Sequence, residues 1–221
     1  MTDQLSDAEK QQIATLATTE HFTLQTARSA TISDANGRAS LFLSTVSSTL
    51  VALAFVGQVD ESMSAFFIFS FVLFPTLIFL GVATFARVLQ SAIEDTIYAR
   101  EINRLRHLYA ELSPILGRYF LLSTNDDAAS IIRTMGVTSG RWQMFLTTAG
   151  TIGVINSTLV GVLVGLVCSR LGLTVLLCAG AGIAAFIAGI VLHLRYQTAQ
   201  WQAVDVRLPV LFPADTSGDP H

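Results

Sequence analysis

Charge is what this sequence has least of. Asp, Glu, Lys and Arg make up 13% of its 221 residues, about half the roughly 25% of an ordinary soluble chain. Four blocks, 39–59, 62–86, 142–169 and 171–194, contain none at all and together hold 98 residues. That distribution excludes an ordinary water-soluble globule. Lysine is nearly missing too: Lys10 stands alone against twelve arginines, a bias that high-GC coding produces and that fits a bacterial source. Only two cysteines occur, Cys168 and Cys178. On either side of a tight turn near Arg170 their depths differ by about 9 Å at about 1.5 Å per residue, beyond the roughly 7 Å that a disulfide allows between Cα atoms, so both are expected as free thiols.

Catalytic and cofactor signatures are missing as well. There is no pair of Cys motifs, no helix with two His at metal-ligand spacing, no GxxxxGK[ST] loop and no GxGxxG after a strand, and the four histidines, 21, 107, 193 and 221, are scattered. The expectation is a non-enzymatic protein with no catalytic residue, no metal and no cofactor. A net charge of −3 gives no global field for nucleic acid.

What is present is membrane-spanning length. Crossing a hydrocarbon core of about 30 Å takes roughly 20 apolar residues in a helix, and each block is long enough. A barrel strand would be about 10 residues of alternating polarity, whereas Phe66 to Phe74 and Leu171 to Leu177 are apolar at successive positions, broken only by Ser70 and Thr174. The fold class expected is all-α, polytopic, with four transmembrane helices in two hairpins (39–86 and 142–194). A cytoplasmic amphipathic helix (1–38), a cytoplasmic helical section (87–141) and a cytoplasmic tail (195–221) complete the division. Asp3, Asp7, Glu9 and Glu20 precede the first apolar run, unlike a secretory leader, so the first span is expected to be an uncleaved anchor.

Basic flanks stay on the cytoplasmic side. Lys10, Arg28, Arg38, Arg87, Arg100, Arg104, Arg106, Arg118, Arg133, Arg141, Arg195 and Arg207 fall on one side, and only Arg170 falls on the other, where the first outer loop carries Asp60 and Glu61. The bias places both termini inside, in the bacterial cytoplasmic (inner) membrane, with the lipid bilayer as the first partner.

The polar segments read as helical. Ser6 and Glu9 have capping-box spacing, and Ile13, Leu16, Leu24 and Ala27 follow at helical intervals until Asp34, Ala35, Asn36 and Gly37 interrupt. After the second span, Tyr98, Ile102, Leu105, Tyr109 and Leu112 form a seam that fits either a coiled coil or packing onto the first helix, so one rod is expected from about Ala65 to Leu112, stopped by Ser113 and Pro114. Residues 123–136 read as a short helix capped by Thr124 or Asn125, with Asp126 and Asp127 in its first turn and Gly136 as its stop. Beyond Gln202 the tail, with Val204, Val206 and Leu208 to Phe212, reads as an extended segment that dissolves over Thr216 to His221.

Gly37-Arg38 with Phe42, Leu43, Ser44 and Thr45 resembles Gly140-Arg141 with Phe145, Leu146, Thr147 and Thr148 at a constant offset of 103, which fits either a parallel duplication of the hairpin or chance.

Within the spans the candidates are polar or small. Ser40, Ser44, Ser47 and Ser48 share one helical face, suited to pore lining or to close polar packing. Asn156 needs a partner across a helix interface. His193, near the inner end of the fourth span, is expected to reach toward the headgroups. Gly161 and Gly165 form one small-residue ladder; Gly180, Ala184 and Ala188, and Ala181, Ala185 and Gly189, form two more, suiting two close neighbours and hence a homo-oligomer. Pro75 is a candidate hinge. Arg100, Arg104 and His107 share a face and are the candidate site for a small anionic ligand or a cytoplasmic protein partner.

In layout alone, a cytoplasmic helix, a two-span hairpin and a long cytoplasmic helix over roughly residues 7 to 112, the chain resembles the SLATT-type membrane effectors of bacterial defence, which are thought to form pores. The resemblance implies a channel-like membrane protein. The second hairpin departs from it and no residue role carries over. Two functions are therefore expected in parallel: a homo-oligomeric channel-like or sensing protein gated by its cytoplasmic helices, or a structural or assembly subunit that holds a protein partner through the rod.

Overall fold

The computed structural model describes residues 5–59, 63–136 and 143–214, and the side chains of 143, 144 and 205–207 are not described. Asp3, Asp60, Glu61, Gly140, Arg141 and the Thr216 to His221 tail lie outside the described residues, as do the side chains of Val206 and Arg207. Every described element is a helix: α1 Asp7–Val59, α2 Ser64–Leu112, α3 Pro114–Gly117, α4 Ala128–Thr134, α5 Gln143–Leu146, α6 Thr148–Arg170 and α7 Val175–Arg207. Four of them, α1, α2, α6 and α7, are long and apolar enough to cross a membrane. The residues group into two compact units: unit 1 is Met1–Ser33, Ser91–Gly140 and Ala203–His221, and unit 2 is Asp34–Gln90 and Arg141–Gln202.

The capping box opens α1 as its spacing predicts: the Ser6 backbone N–H and hydroxyl both donate to Glu9 Oε2, at 2.9 and 2.7 Å. The interruption expected at 34–37 does not occur. Helix α1 runs through it, and the Arg38 guanidinium reaches back one turn to Asp34 at 2.8 Å. A single helical Gly costs only about 1 kcal/mol, and nothing approaches the site of a Cβ on Gly37, so an ion pair and helix on both sides are enough to hold the turn.

Helix α2 starts and ends within a residue of expectation, and Pro75 lies inside it without ending it. Thr76 donates its hydroxyl to the Val72 carbonyl at 2.8 Å, the kind of back-bond that bends helices. The third apolar block is where the sequence boundaries slip. Thr147 interrupts it, its hydroxyl accepting the Gly150 N–H at 3.0 Å. The corresponding residue of the first block, Ser44, lies inside α1, so the two copies of the apparent repeat differ in local structure there. After α6, Gly172 takes φ +79° and turns the chain into α7. The two cysteines are free.

Helix α4 begins at Ala128, two or three residues later than the expected caps imply, because Asp127 rather than Thr124 or Asn125 is the cap; it accepts the Ser130 N–H at 3.0 Å. Gly136 follows the helix with φ +67°, the left-handed stop that the sequence predicts. The tail is also shorter than expected, since α7 stays helical to Arg207 and, among the described residues, only 208–214 after it are irregular.

In unit 1, α1 lies on α2. Arg28 makes a bidentate pair with Asp95 (2.7 and 3.1 Å), His21 stacks on Tyr109 with ring centroids 5.9 Å apart, and Ala17, Leu24, Ala99 and Ile102 are buried. The seam on α2 is therefore covered by the first helix, the second of the two readings that its spacing allowed. In unit 2 the core is a stripe on each helix: Ala39, Phe42, Val46 and Leu53 of α1, Phe74, Leu77, Phe85 and Val88 of α2, and Ala149, Ile152 and Leu159 of α6.

Candidate functional site

Two polar constellations stand out, one in each unit. In unit 2 the fully buried Asn156 and Ser157 of α6 face His193 of α7. Helices α6 and α7 come close because glycines remove side chains from both. A Cβ on Gly161 would stand 2.8 Å from the Gly182 carbonyl oxygen, and one on Gly189 would stand 2.9 Å from Ser157. Gly153 leaves the space that the imidazole fills, its Cβ position lying 3.3 Å from His193.

The ring is oriented by its own helix. His193 Nδ1 lies 2.8 Å from the Gly189 carbonyl, which can only accept, so Nδ1 carries the proton and Nε2 is left facing the Asn156 amide at a long 3.5 Å. Phe85 of α2 packs edge-on against the imidazole with centroids 4.7 Å apart. The sequence led us to expect His193 reaching outward. Instead, the carbonyl of Gly189 and the gap at Gly153 turn it onto α6, where it supplies the cross-helix partner that Asn156 required. Asn156 Oδ1 remains buried without a hydrogen-bond partner, and so does the Ser70 hydroxyl of α2, a residue that sequence reasoning did not single out. Beside Asn156 Oδ1 stands Gly81, where a Cβ would collide with the amide. No sequence pattern marks Gly81 for that role, since its neighbour is 75 positions away.

The small-residue ladders divide by side. Gly161, Gly165, Ala181, Ala185 and Gly189 lie on the α6–α7 side, and a Cβ on Gly165 would stand 3.7 Å from the Cys178 carbonyl. Gly180, Ala184 and Ala188 are exposed, with open space around Gly180. Ser40, Ser44, Ser47 and Ser48 are exposed as well. At about 100° per residue they lie on the side of α1 away from Ala39, Phe42 and Val46.

In unit 1 the face of Arg100, Arg104 and His107 is brought together, and it receives residues 208–212 of the tail. Arg100 donates to the Leu208 carbonyl at 2.9 Å, Arg104 to the Pro209 carbonyl at 2.6 Å and to Asp126 at 2.7 Å, and His107 stacks on Phe212 with centroids 3.9 Å apart. His107 also lies 3.6 Å from Glu111. Asp126, wholly buried, accepts the N–H groups of Leu211 (3.0 Å) and Phe212 (2.8 Å), and Asp127 accepts that of Ala214 at 3.0 Å. Burial alone would raise the Asp126 pKa, but these N–H groups and Arg104 outweigh it and hold the carboxyl below its ordinary value. Asp126 therefore fastens the tail rather than starting α4. Its partners lie 85 positions away, and no local signal announces them.

Among the described residues no group of three His, Cys, Asp or Glu side chains is placed to hold a metal ion. The class that fold and sites define is an all-helical protein with four helices able to cross a membrane. In comparisons with protein-family models, with curated proteins and with solved structures, nothing matches this chain.

Proposed function

We propose that this chain is a non-enzymatic integral protein of the bacterial inner membrane, with both termini cytoplasmic, that assembles as a homo-oligomer and forms a channel-like path gated by its cytoplasmic helices. The observation that carries the reading is the exposure of Ser40, Ser44, Ser47 and Ser48 on the side of α1 turned from the core. Lipid tails offer no hydrogen-bond partners, so a row of hydroxyls facing away from the chain's own core is best satisfied by water or by a second copy. The exposed ladder of Gly180, Ala184 and Ala188 on α7 supports the same assembly, because small residues let helix backbones approach closely. Gating is supported by continuity: α1 and α2 each carry residues of both units in one uninterrupted helix.

Reconstituted in liposomes, the protein is expected to pass ions or a small dye, and Ser44→Leu with Ser48→Leu to lower that flux by about tenfold or more as an apolar constriction dewets. Liposomes that stay tight under every ligand tested would sink the channel.

A second reading, an assembly subunit that binds a protein partner through the cytoplasmic helices, is favoured by Leu16 and Phe22, which are 64% and 65% exposed in the unit 1 part of α1. A stoichiometric, unrelated protein recovered with it from membranes would select this reading.

A further inference from the structure

We propose that His193 and Asn156 form a proton-binding site at the α6–α7 contact, in which the Asn156 amide turns over when the imidazole takes up a second proton. Nδ1 of the ring is committed to the Gly189 carbonyl at 2.8 Å, so a proton gained near neutrality enters at Nε2. That nitrogen faces Asn156 Nδ2 at 3.5 Å. An amide nitrogen can only donate. While Nε2 holds a lone pair the two atoms match; once it is protonated, two N–H groups oppose each other.

The acceptor that the new N–H requires is in the same side chain. Asn156 is fully buried, and its Oδ1 has no hydrogen-bond partner. A half-turn about χ2, a torsion with two broad wells, exchanges Oδ1 and Nδ2. It replaces a long neutral contact by a charge-assisted bond, about twice as strong as a neutral one. The other end of the amide lies against Gly81 of α2, which has no side chain to obstruct the exchange. Ser157 completes the cradle: its hydroxyl donates to the Gly153 carbonyl at 2.7 Å and keeps its lone pairs for Nδ1 at 3.4 Å. Both N–H groups of the imidazolium then have acceptors, the condition for holding a charge away from water.

No charge of the chain decides the matter instead. The ring touches Gly153, Asn156 and Ser157 of α6 and Phe85 of α2, none of them ionisable. Tyr196 of its own helix lies against Phe85. Of the nearest charged residues along the chain, Arg38 of α1 pairs with Asp34, Arg87 of α2 bonds to Gln90, Arg170 stands at the far end of α6, and Arg195 is exposed. Among the described residues no carboxylate faces the imidazole. His193 is itself half-buried, two residues from Arg195, which gives a proton a short route from the polar end of α7. The half-turn also changes the atom that α6 presents to α2 at Gly81, so three helices register the state of one ring. The site does not depend on whether the spans conduct.

The test is nuclear magnetic resonance of the full chain, labelled with 15N in its histidine and asparagine side chains, in phosphatidylcholine nanodiscs from about pH 8.5 to 5. His193→Gln and Asn156→Asp assign the two sets of signals. The expected result is a neutral ring protonated at Nδ1 at high pH, reversible conversion to imidazolium with the fold retained, and an Asn156 side-chain signal that shifts with the same midpoint. Asn156→Leu keeps the bulk without an acceptor and should need about ten times the proton concentration for half-conversion, whereas Asn156→Asp should need about a tenth or less. If Asn156→Leu does not fold, the shared midpoint in the wild type and the shift in Asn156→Asp decide. A ring that stays neutral throughout, an Asn156 signal indifferent to the His193 transition, or a folded Asn156→Leu with the wild-type midpoint would overturn the proposal.

Discussion

Replacing Asp126 by alanine should destabilise unit 1 by about 3 kcal/mol and release the tail, the effect expected when one member of a buried, hydrogen-bonded charge pair is removed. The side chain is wholly buried. Its loss orphans the N–H groups of Leu211 and Phe212 and leaves Arg104 with the Pro209 carbonyl. Arg104 keeps 28% of its side-chain surface in solvent, which holds the cost near the lower end for such pairs. Asp126→Asn keeps one acceptor oxygen and should cost less. Denaturant unfolding gives the magnitude, and limited proteolysis around Val210 reports the release. A loss under about 1 kcal/mol would mean that the tail is held by the Phe212–His107 stack rather than by the carboxylate.

The same pair sets an acid limit. The folded-state pKa of Asp126 lies below its ordinary value of 3.8, so its contribution is fully present above that value and is lost as pH falls through the lower, folded one. The tail should stay fastened through neutral and mildly acidic solution and come free only in stronger acid.

The second large effect is a contrast between two leucines placed on opposite sides of the apolar helices. Gly161→Leu forces a side chain toward the Gly182 carbonyl, 2.8 Å from the Cβ position, and toward Phe186 Cβ at 3.1 Å. Backbone cannot yield as a flexible side chain does, so α6 and α7 must part at a cost of about 1–3 kcal/mol or more. Ala184→Leu adds apolar bulk to an exposed position and should leave the protomer's stability unchanged within about 0.5 kcal/mol while breaking the oligomer. Unfolding and particle mass, both measured in detergent, distinguish the two. An Ala184→Leu protein of unchanged mass would remove the outer ladder from the interface.

The contrast also marks what a sequence of this kind makes legible. Both ladders are visible in it, because helical spacing is a local property, but which one faces the chain's own core is not. The four apolar helices follow from the charge-free blocks, and the end of α2 at Leu112 follows from Ser113 and Pro114. The run of α1 through Asp34 to Gly37 was hidden by breaker residues whose individual costs are smaller than what neighbouring helix and the Arg38–Asp34 pair restore. Thr147 broke a block that looked continuous, since an interruption by a cap needs no charge. Asn156 announced that it needed a partner, yet nothing near it named His193. Arg100 and Arg104 announced an acceptor face, and the acceptors came from carbonyls over a hundred positions away, which no periodicity encodes.

The central claim is that the serine face of α1 meets water inside an oligomer. The most direct measurement is the rate at which a water-soluble thiol reagent modifies Ser40→Cys, Ser44→Cys, Ser47→Cys and Ser48→Cys, each made in a background with Cys168 and Cys178 replaced by serine, in native membranes. Phe79→Cys, at an apolar α2 position 76% exposed in the chain, gives the lipid-facing reference. The account predicts that the four serine positions react faster than Phe79→Cys; rates equal to that reference would place the serines against lipid or dry packing and contradict it.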